Sequence, residues 1–293
     1  MRTMHRMLLA AALMLAGGVA MAQTPNGEGT LARPDGAKIH YQVSGHGQPI
    51  FLIHGYPLSG ELFAKNRQAL DDHYTVITLD LRGYGQSKAT GDNATIQTYA
   101  QDALALMDKL QLKKAIIGGM SMGGPIAFEM YRKAPQRFAG LILMDTTAKP
   151  AGPPEAGLWN GVATLVQSKG VDALPMVLDK DMLTGQTRLK DKAMVDALNG
   201  IVLKSSKNGA IAGARALANR PDSQPTLATI KVPTLIIVGV EDTIYPIKMA
   251  QAMQKAIPNA KVAMIPGAAH ASAMEKPDQV NQAIMGWAQQ VRW

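Results

Sequence analysis

Cysteine is absent from the 293-residue chain, which excludes a thiol nucleophile, disulfides and every Cys-ligated metal site. A chain of this size buries an adequate core without cross-links, even in an oxidising compartment. Rigid rings are also scarce. Four Phe stand against 18 Met, so adaptable thioether side chains are expected in the core and pocket. The six His are scattered, with no His-Glu-x-x-His or related spacing, and no metal or cofactor is expected. The formal net charge of +8 is dispersed, its densest clusters being Lys113-Lys114 and Arg132-Lys133. Without a basic stripe carrying interleaved aromatics, nucleic acid is not an expected partner. Hydrophobic residues make up 47% and charged residues 18%, a globular balance that gives no case for disorder. No internal repeat is visible, and no aromatic-rich stretch marks an interface between copies.

What is present begins with an export signal. Arg2 and Arg6 form a positive n-region, and residues 8–19 are an apolar run too short to span a bilayer. Ala20-Met21-Ala22 supplies small residues at the positions a signal peptidase reads. Residues 1–22 are therefore expected to be removed, leaving Gln23 first in a periplasmic or secreted protein with no remaining membrane span.

After the signal, strand-length runs at residues 39–43, 49–53, 74–79, 114–118 and 141–144 alternate with helical spacing at 61–70, 96–110 and 122–133. In the second of these helices, Ala100, Ala103, Leu104, Met107 and Leu110 share one face. This alternation predicts a mostly parallel sheet with helices on both sides. It stops at about Thr146. A Pro/Gly-rich segment at 149–154 opens a strand-free stretch with helical patterns at 158–169, 171–178, 190–203 and 210–219. Strands resume at 233–238 and 261–265, with helices at 247–257 and 278–291. The expected layout is a core of residues 23–146 and 225–293, with a helical cap over 147–224 at the sheet's C-terminal edge, where such folds place their sites.

Gly119-Met120-Ser121-Met122-Gly123 carries the strongest chemical signal. It follows a strand and precedes a helix, the context that the G-x-S-x-G turn requires. The demand is steric: a nucleophile on so sharp a turn needs small residues two before and two after it. The turn also aims the new helix's N–H groups at developing negative charge, and Pro125 is tolerated in a first turn. Serine needs a base. Of the six His, His5 lies in the signal, while His40, His46 and His73 read as surface or structural residues. His54 is expected to brace its loop by hydrogen bonds. His270 follows the last strand in Pro266-Gly267-Ala268-Ala269-His270, at the same sheet edge as Ser121, and is the expected base. Asp242 follows the strand at 233–238, and the chain order Ser, Asp, His suits this arrangement. Asp145, ending the strand at 141–144, is a rival acid; Glu241 would point elsewhere. Two backbone N–H groups must hold the oxyanion. Met122, after the nucleophile, and Tyr56, beside the close-approach Gly55, are the candidates. Leu158, Trp159, Met176, Met182 and Leu183 fall in the strand-free stretch. Packing explains them as well as a pocket does, so none is assigned to binding.

Five motifs in order resemble the α/β-hydrolase superfamily, in its branch of small esterases, lactonases and cofactor-free haloperoxidase-like enzymes. They are His54-Gly55-Tyr56-Pro57, Asp80-Leu81-Arg82-Gly83-Tyr84-Gly85-Gln86-Ser87, the Ser121 turn, Gly239-Val240-Glu241-Asp242 with Pro246, and Gly267-Ala268-Ala269-His270 with Glu275 and Pro277. The resemblance implies the α/β-hydrolase fold, a roughly eight-stranded, mostly parallel sheet flanked by helices with the cap inserted after the sixth strand. It also implies that the Asp80–Ser87 loop shapes the floor of the site. Ser121, where haloalkane dehalogenases and epoxide hydrolases use Asp, points away from those reactions. Cleavage of a carboxylic ester or lactone through an acyl-enzyme is the expected activity, with a small-molecule substrate. Perhydrolysis, with peroxide replacing water, and ligand binding on a non-catalytic scaffold are the rival readings.

Overall fold

The computed structural model describes residues 26–293; the expected signal peptide and its cleavage site lie outside them. Eight strands form one sheet: β1 (Gly27–Ala32), β2 (Lys38–Gly45), β3 (Gln48–Ile53), β4 (Tyr74–Leu79), β5 (Ala115–Met120), β6 (Phe138–Met144), β7 (Thr234–Gly239) and β8 (Ala260–Ile265). Their order is β1-β2-β4-β3-β5-β6-β7-β8. β2 pairs antiparallel with both β1 and β4, and every pairing from β4 to β8 is parallel. Strands covered on both faces read as unbroken apolar runs. Ile50, Phe51, Leu52 and Ile53 of β3, like Leu141, Ile142, Leu143 and Met144 of β6, are fully buried. Each such side chain contributes about 1.5–3 kcal/mol on burial. β1 carries no apolar run and has an exposed, polar pattern, so nothing in its residues announces a strand.

The helices are α1 (Ala64–Leu70), α2 (Ile96–Lys109), α3 (Gly123–Lys133), α4 (Pro153–Lys169), α5 (Leu174–Met182), α6 (Gly185–Lys190), α7 (Lys192–Val202), α8 (Lys207–Ala218), α9 (Gln224–Leu227), α10 (Ile247–Ala256), α11 (Ser272–Glu275) and α12 (Pro277–Ala288). α2 starts from a capping box, in which Thr95 and Thr98 satisfy each other's backbone N–H. Its buried face includes Tyr99 and Leu106, while the expected Leu104 and Leu110 are only partly covered. The helix expected at 190–203 is α7, which starts at Lys192 because the Asp191 side chain caps it through the Met194 N–H at 2.9 Å; the short α6 before it ends where the expected span begins. Pro153 and Pro154, at the end of the Pro/Gly-rich segment, form the first turn of α4, which starts five residues before the expected 158.

Between β6 and β7 lie α4 to α9, with no strand among the described residues. Two small residues one helical turn apart bring α8 close to the core. A Cβ on Gly209 would strike the Gly83 backbone, and one on Gly213 would strike the Tyr84 hydroxyl and the Tyr56 ring. The Tyr84 hydroxyl donates to the Gly209 carbonyl at 2.9 Å, and the Ser206 N–H donates to the Gly83 carbonyl at 2.8 Å. α4 and α8 pack along each other. Their ends are joined where Arg220, almost wholly buried, grips both Glu155 carboxylate oxygens at 2.7 Å. No described helix is long and apolar enough to cross a membrane.

Candidate active site

The parallel strands deliver the expected residues to one edge. Ser121 follows β5, Asp145 follows β6, Asp242 comes three residues after β7, and His270 lies in the loop after β8. Ser121 sits at φ 52°, a left-handed conformation that costs a residue with a Cβ free energy. The turn is held by the Ser121 N–H on the Met144 carbonyl at 2.9 Å. The Thr146 hydroxyl, on the Ser121 carbonyl at 2.6 Å, holds it from the other side. Its tightness explains the glycines. A Cβ at Gly119 would collide with the Gly123 backbone, and a Cβ at Gly123 with the Ile53 carbonyl. Gly124, outside the pentapeptide, is equally constrained by Thr146.

His270 Nε2 lies 2.8 Å from Ser121 Oγ, and His270 Nδ1 lies 2.9 Å from Asp242 Oδ2. The other Asp242 oxygen, Oδ1, accepts the N–H groups of Ile244 at 2.8 Å and Tyr245 at 3.0 Å. Asp242 and His270 are buried, and Ser121 keeps 6% exposure. Burial alone would push the imidazole's pKa down. The charge and hydrogen bond of Asp242 outweigh that and hold it above its ordinary value. Burial raises and the imidazole lowers the Asp242 carboxyl, which also accepts two backbone N–H groups and ends below the usual range. The arrangement can take a proton from the serine hydroxyl and hold the resulting cation.

The rival acid is close but committed elsewhere. Asp145 Oδ1 accepts the Gly239 N–H at 2.8 Å, and Oδ2 accepts the Ser272 hydroxyl. Burial and the charge of Asp242 push Asp145 up to about 7. It thus ties the loop carrying Asp242 to the loop carrying His270, a position invisible in sequence. Glu241 points to solvent. Tyr245 was also missed: its N–H holds Asp242, and its ring meets the His270 ring edge-on at 5.6 Å. An Asp followed by amides two and three residues later is Asx-turn spacing, the signal that could have exposed it.

The His54–Tyr56 loop lies directly on the nucleophile, since a Cβ on Gly55 would strike Ser121 Cβ and Met120. His54 braces this loop as expected: its Nδ1 donates to the Gly55 carbonyl at 2.8 Å, and its Nε2 accepts the Leu81 N–H at 2.9 Å. Among the described residues, neither the Tyr56 N–H nor the Met122 N–H donates a hydrogen bond within the protein. The Asp80 loop is tied down through Asp80, which accepts from the Gly60 and Gln86 N–H groups, each at 2.8 Å. Trp159 stands edge-on to Tyr56 at 5.4 Å. With Met182 and Leu183 it is buried, whereas Leu158 and Met176 are 60% and 74% exposed on the outside.

Comparison with known proteins identifies the family. A family described as the alpha/beta hydrolase fold matches residues 48–277. The chain is 31% identical to a putative non-heme chloroperoxidase of Synechocystis, over 86% of this chain and 95% of that one. It is 30% identical to 3-oxoadipate enol-lactonase 1 of Acinetobacter baylyi, over 76% of this chain and 82% of that one. A solved structure of a thermophilic esterase from Thermogutta terrifontis shares 34% identity at a TM-score of 0.86, covering 90% of this chain and 97% of that one. With its eight-stranded sheet and the family match spanning most of its length, the chain belongs to the alpha/beta hydrolase fold family.

Proposed function

We propose that the protein is a serine hydrolase that cleaves a small carboxylic ester or lactone through an acyl-enzyme. The observation that carries this reading is the buried hydrogen-bonded chain from Ser121 Oγ through the His270 ring to Asp242. Ser121 Oγ attacks the carbonyl carbon as His270 Nε2 takes its proton. The Tyr56 and Met122 N–H groups, otherwise without acceptors, receive the oxyanion. His270 then protonates the leaving alkoxide, or the ring oxygen of a lactone. Water, deprotonated by the same imidazole, releases the acid and restores Ser121. Residues 147–224 act as a cap over the site, and Trp159, Met182 and Leu183 form its apolar inner wall.

The test is hydrolysis of p-nitrophenyl esters from acetate to decanoate by the mature protein, together with labelling by a fluorophosphonate probe. Turnover and a label on Ser121 are expected, and the chain-length optimum measures the acyl pocket. A folded protein that neither turns over esters nor takes the label would instead be a binding protein on this scaffold. Bromination of a reporter dye in peroxide and acetate tests perhydrolysis, a reading favoured by the relative named a chloroperoxidase. Export belongs to the proposal as well, and N-terminal sequencing of exported protein is expected to begin at Gln23.

Acid should inactivate the enzyme. His270 acts as a base only when neutral, so kcat/KM falls as pH drops through its pKa. Because Asp242 holds that pKa above the ordinary 6.5, the midpoint of the fall should lie above that value. A flat profile between about pH 5 and 8, the range over which imidazoles titrate, would contradict a histidine base.

A further inference from the structure

The inserted helices do more than roof the site; one short segment of them bonds to the loops carrying both Asp242 and His270. That segment is residues 181–184, where α5 ends. Thr243, next to Asp242, donates its hydroxyl to Asp181 Oδ1 at 3.1 Å. The Ala271 N–H, on one side of His270, donates to the Met182 carbonyl at 2.8 Å. On the other side, the Ala269 N–H donates to Glu275 Oε2 at 2.7 Å. Glu275 Oε1 accepts both the Thr184 N–H at 2.9 Å and the Thr184 hydroxyl at 2.8 Å. The residues flanking His270 in the chain are therefore both fastened to the insertion, one directly and one through a buried carboxylate that the proposed chemistry does not use.

We propose that Glu275 is a positioning residue that locks the His270 loop to the insertion, so that the seating of residues 182–184 sets the alignment of His270 Nε2 on Ser121 Oγ. This rests on the reading of Ser121 and His270 given above. Three donors converge on the two oxygens of one buried side chain. Met182 and Leu183, assigned above to the proposed pocket wall, directly precede the tied Thr184 in the chain. A substrate that displaces them displaces the histidine loop with them. Alignment matters steeply, because a misplacement of about 1 Å costs on the order of 100-fold in rate.

The test compares Glu275→Gln, Thr184→Val and the double variant in the full chain. Gln keeps the shape of Glu but turns an NH2 group towards either the Ala269 N–H or the Thr184 donors. Thr184→Val removes the hydroxyl, which also caps α6 through the Thr187 N–H at 3.2 Å, but leaves the Thr184 N–H on Glu275, and it serves as the milder variant should Glu275→Gln fold poorly. For p-nitrophenyl acetate, Glu275→Gln is expected to lower kcat about 10- to 100-fold while KM changes less than about twofold. Thr184→Val should lower kcat by less, and the double variant should match Glu275→Gln, as expected for two partners in one contact. A second readout needs no turnover: the downfield proton resonance of the His270 Nδ1–H shared with Asp242. It should be sharp in the wild type and broadened or lost in both single variants. Folded variants that keep that resonance unchanged, or losses in kcat that simply multiply in the double variant, would overturn the proposal. A wild type that shows the resonance yet hydrolyses no ester would instead refute the assigned reaction, and the resonance in the variants would still decide the role of Glu275.

Discussion

Ser121→Ala is expected to lower kcat for p-nitrophenyl acetate by about 10⁶-fold, to the scale seen when the nucleophile of such a triad is removed. The variant loses only Oγ. Alanine keeps the Cβ and the strained φ of 52°, and the backbone bonds to Met144 and from Thr146 remain. The turn, the Tyr56 and Met122 N–H groups and the pocket wall should therefore persist. KM should stay close to wild type, and the residual rate should exceed that of water by about 10³–10⁴-fold through oxyanion stabilisation and binding. Fluorophosphonate labelling should vanish altogether. The decisive measurement is kcat beside a melting curve that shows an intact fold. Retention of more than about a hundredth of the activity would remove Ser121 from the chemistry, since no covalent route would then be needed.

Asp242→Asn should cost about 10⁴-fold in kcat through a tautomer rather than through lost structure. Asp242 Oδ1 accepts two backbone N–H groups, from Ile244 and Tyr245. An asparagine here must place its carbonyl oxygen against those donors, so its NH2 takes the position of Oδ2 and faces His270 Nδ1. Only an unprotonated Nδ1 can accept from it, which forces the ring proton onto Nε2. Nε2 then points a hydrogen at Ser121 Oγ and can no longer take one from it. Asp145 offers no rescue, because its oxygens are engaged by the Gly239 N–H and the Ser272 hydroxyl. Near-normal turnover of Asp242→Asn would assign the acid to Asp145 instead. The two outcomes differ by orders of magnitude in one assay.

Much of this site was readable because its chemistry is carried by local sequence. A run such as Tyr74–Leu79 is apolar enough to be a strand wherever it is placed, and strand order then puts the following loops at one edge. Gly119 and Gly123 declare the sharp turn, and Asp242 and His270 follow in chain order. What could not be read depends on contacts distant in sequence. β1 is a strand because it pairs with β2, not because of its composition. Asp191 looks like one polar residue in an amphipathic stretch, yet its capping bond divides α6 from α7. Leu106 is buried where Leu104 is only partly covered, and α2 also packs against α3, a neighbour that spacing within α2 does not reveal. Glu275 was visible as part of a motif, but its partner Thr184 lies 91 residues away. Nothing in either residue announces the other.

The pairing of Gly209 and Gly213 with Gly83, Tyr84 and Tyr56 bears on how this protein can change. Where backbone presses on backbone, no side chain is available to be exchanged, so that face of α8 is closed to variation. The Tyr56 loop is confined between it and Ser121. The proposed opposite wall, made of Trp159, Met182 and Leu183, consists of side chains that tolerate exchange for others of similar volume. New substrate preferences should therefore arise by substitution along α4 and α5, while α8 stays as it is. A library built to alter selectivity should be concentrated on the first pair of helices and leave the third untouched.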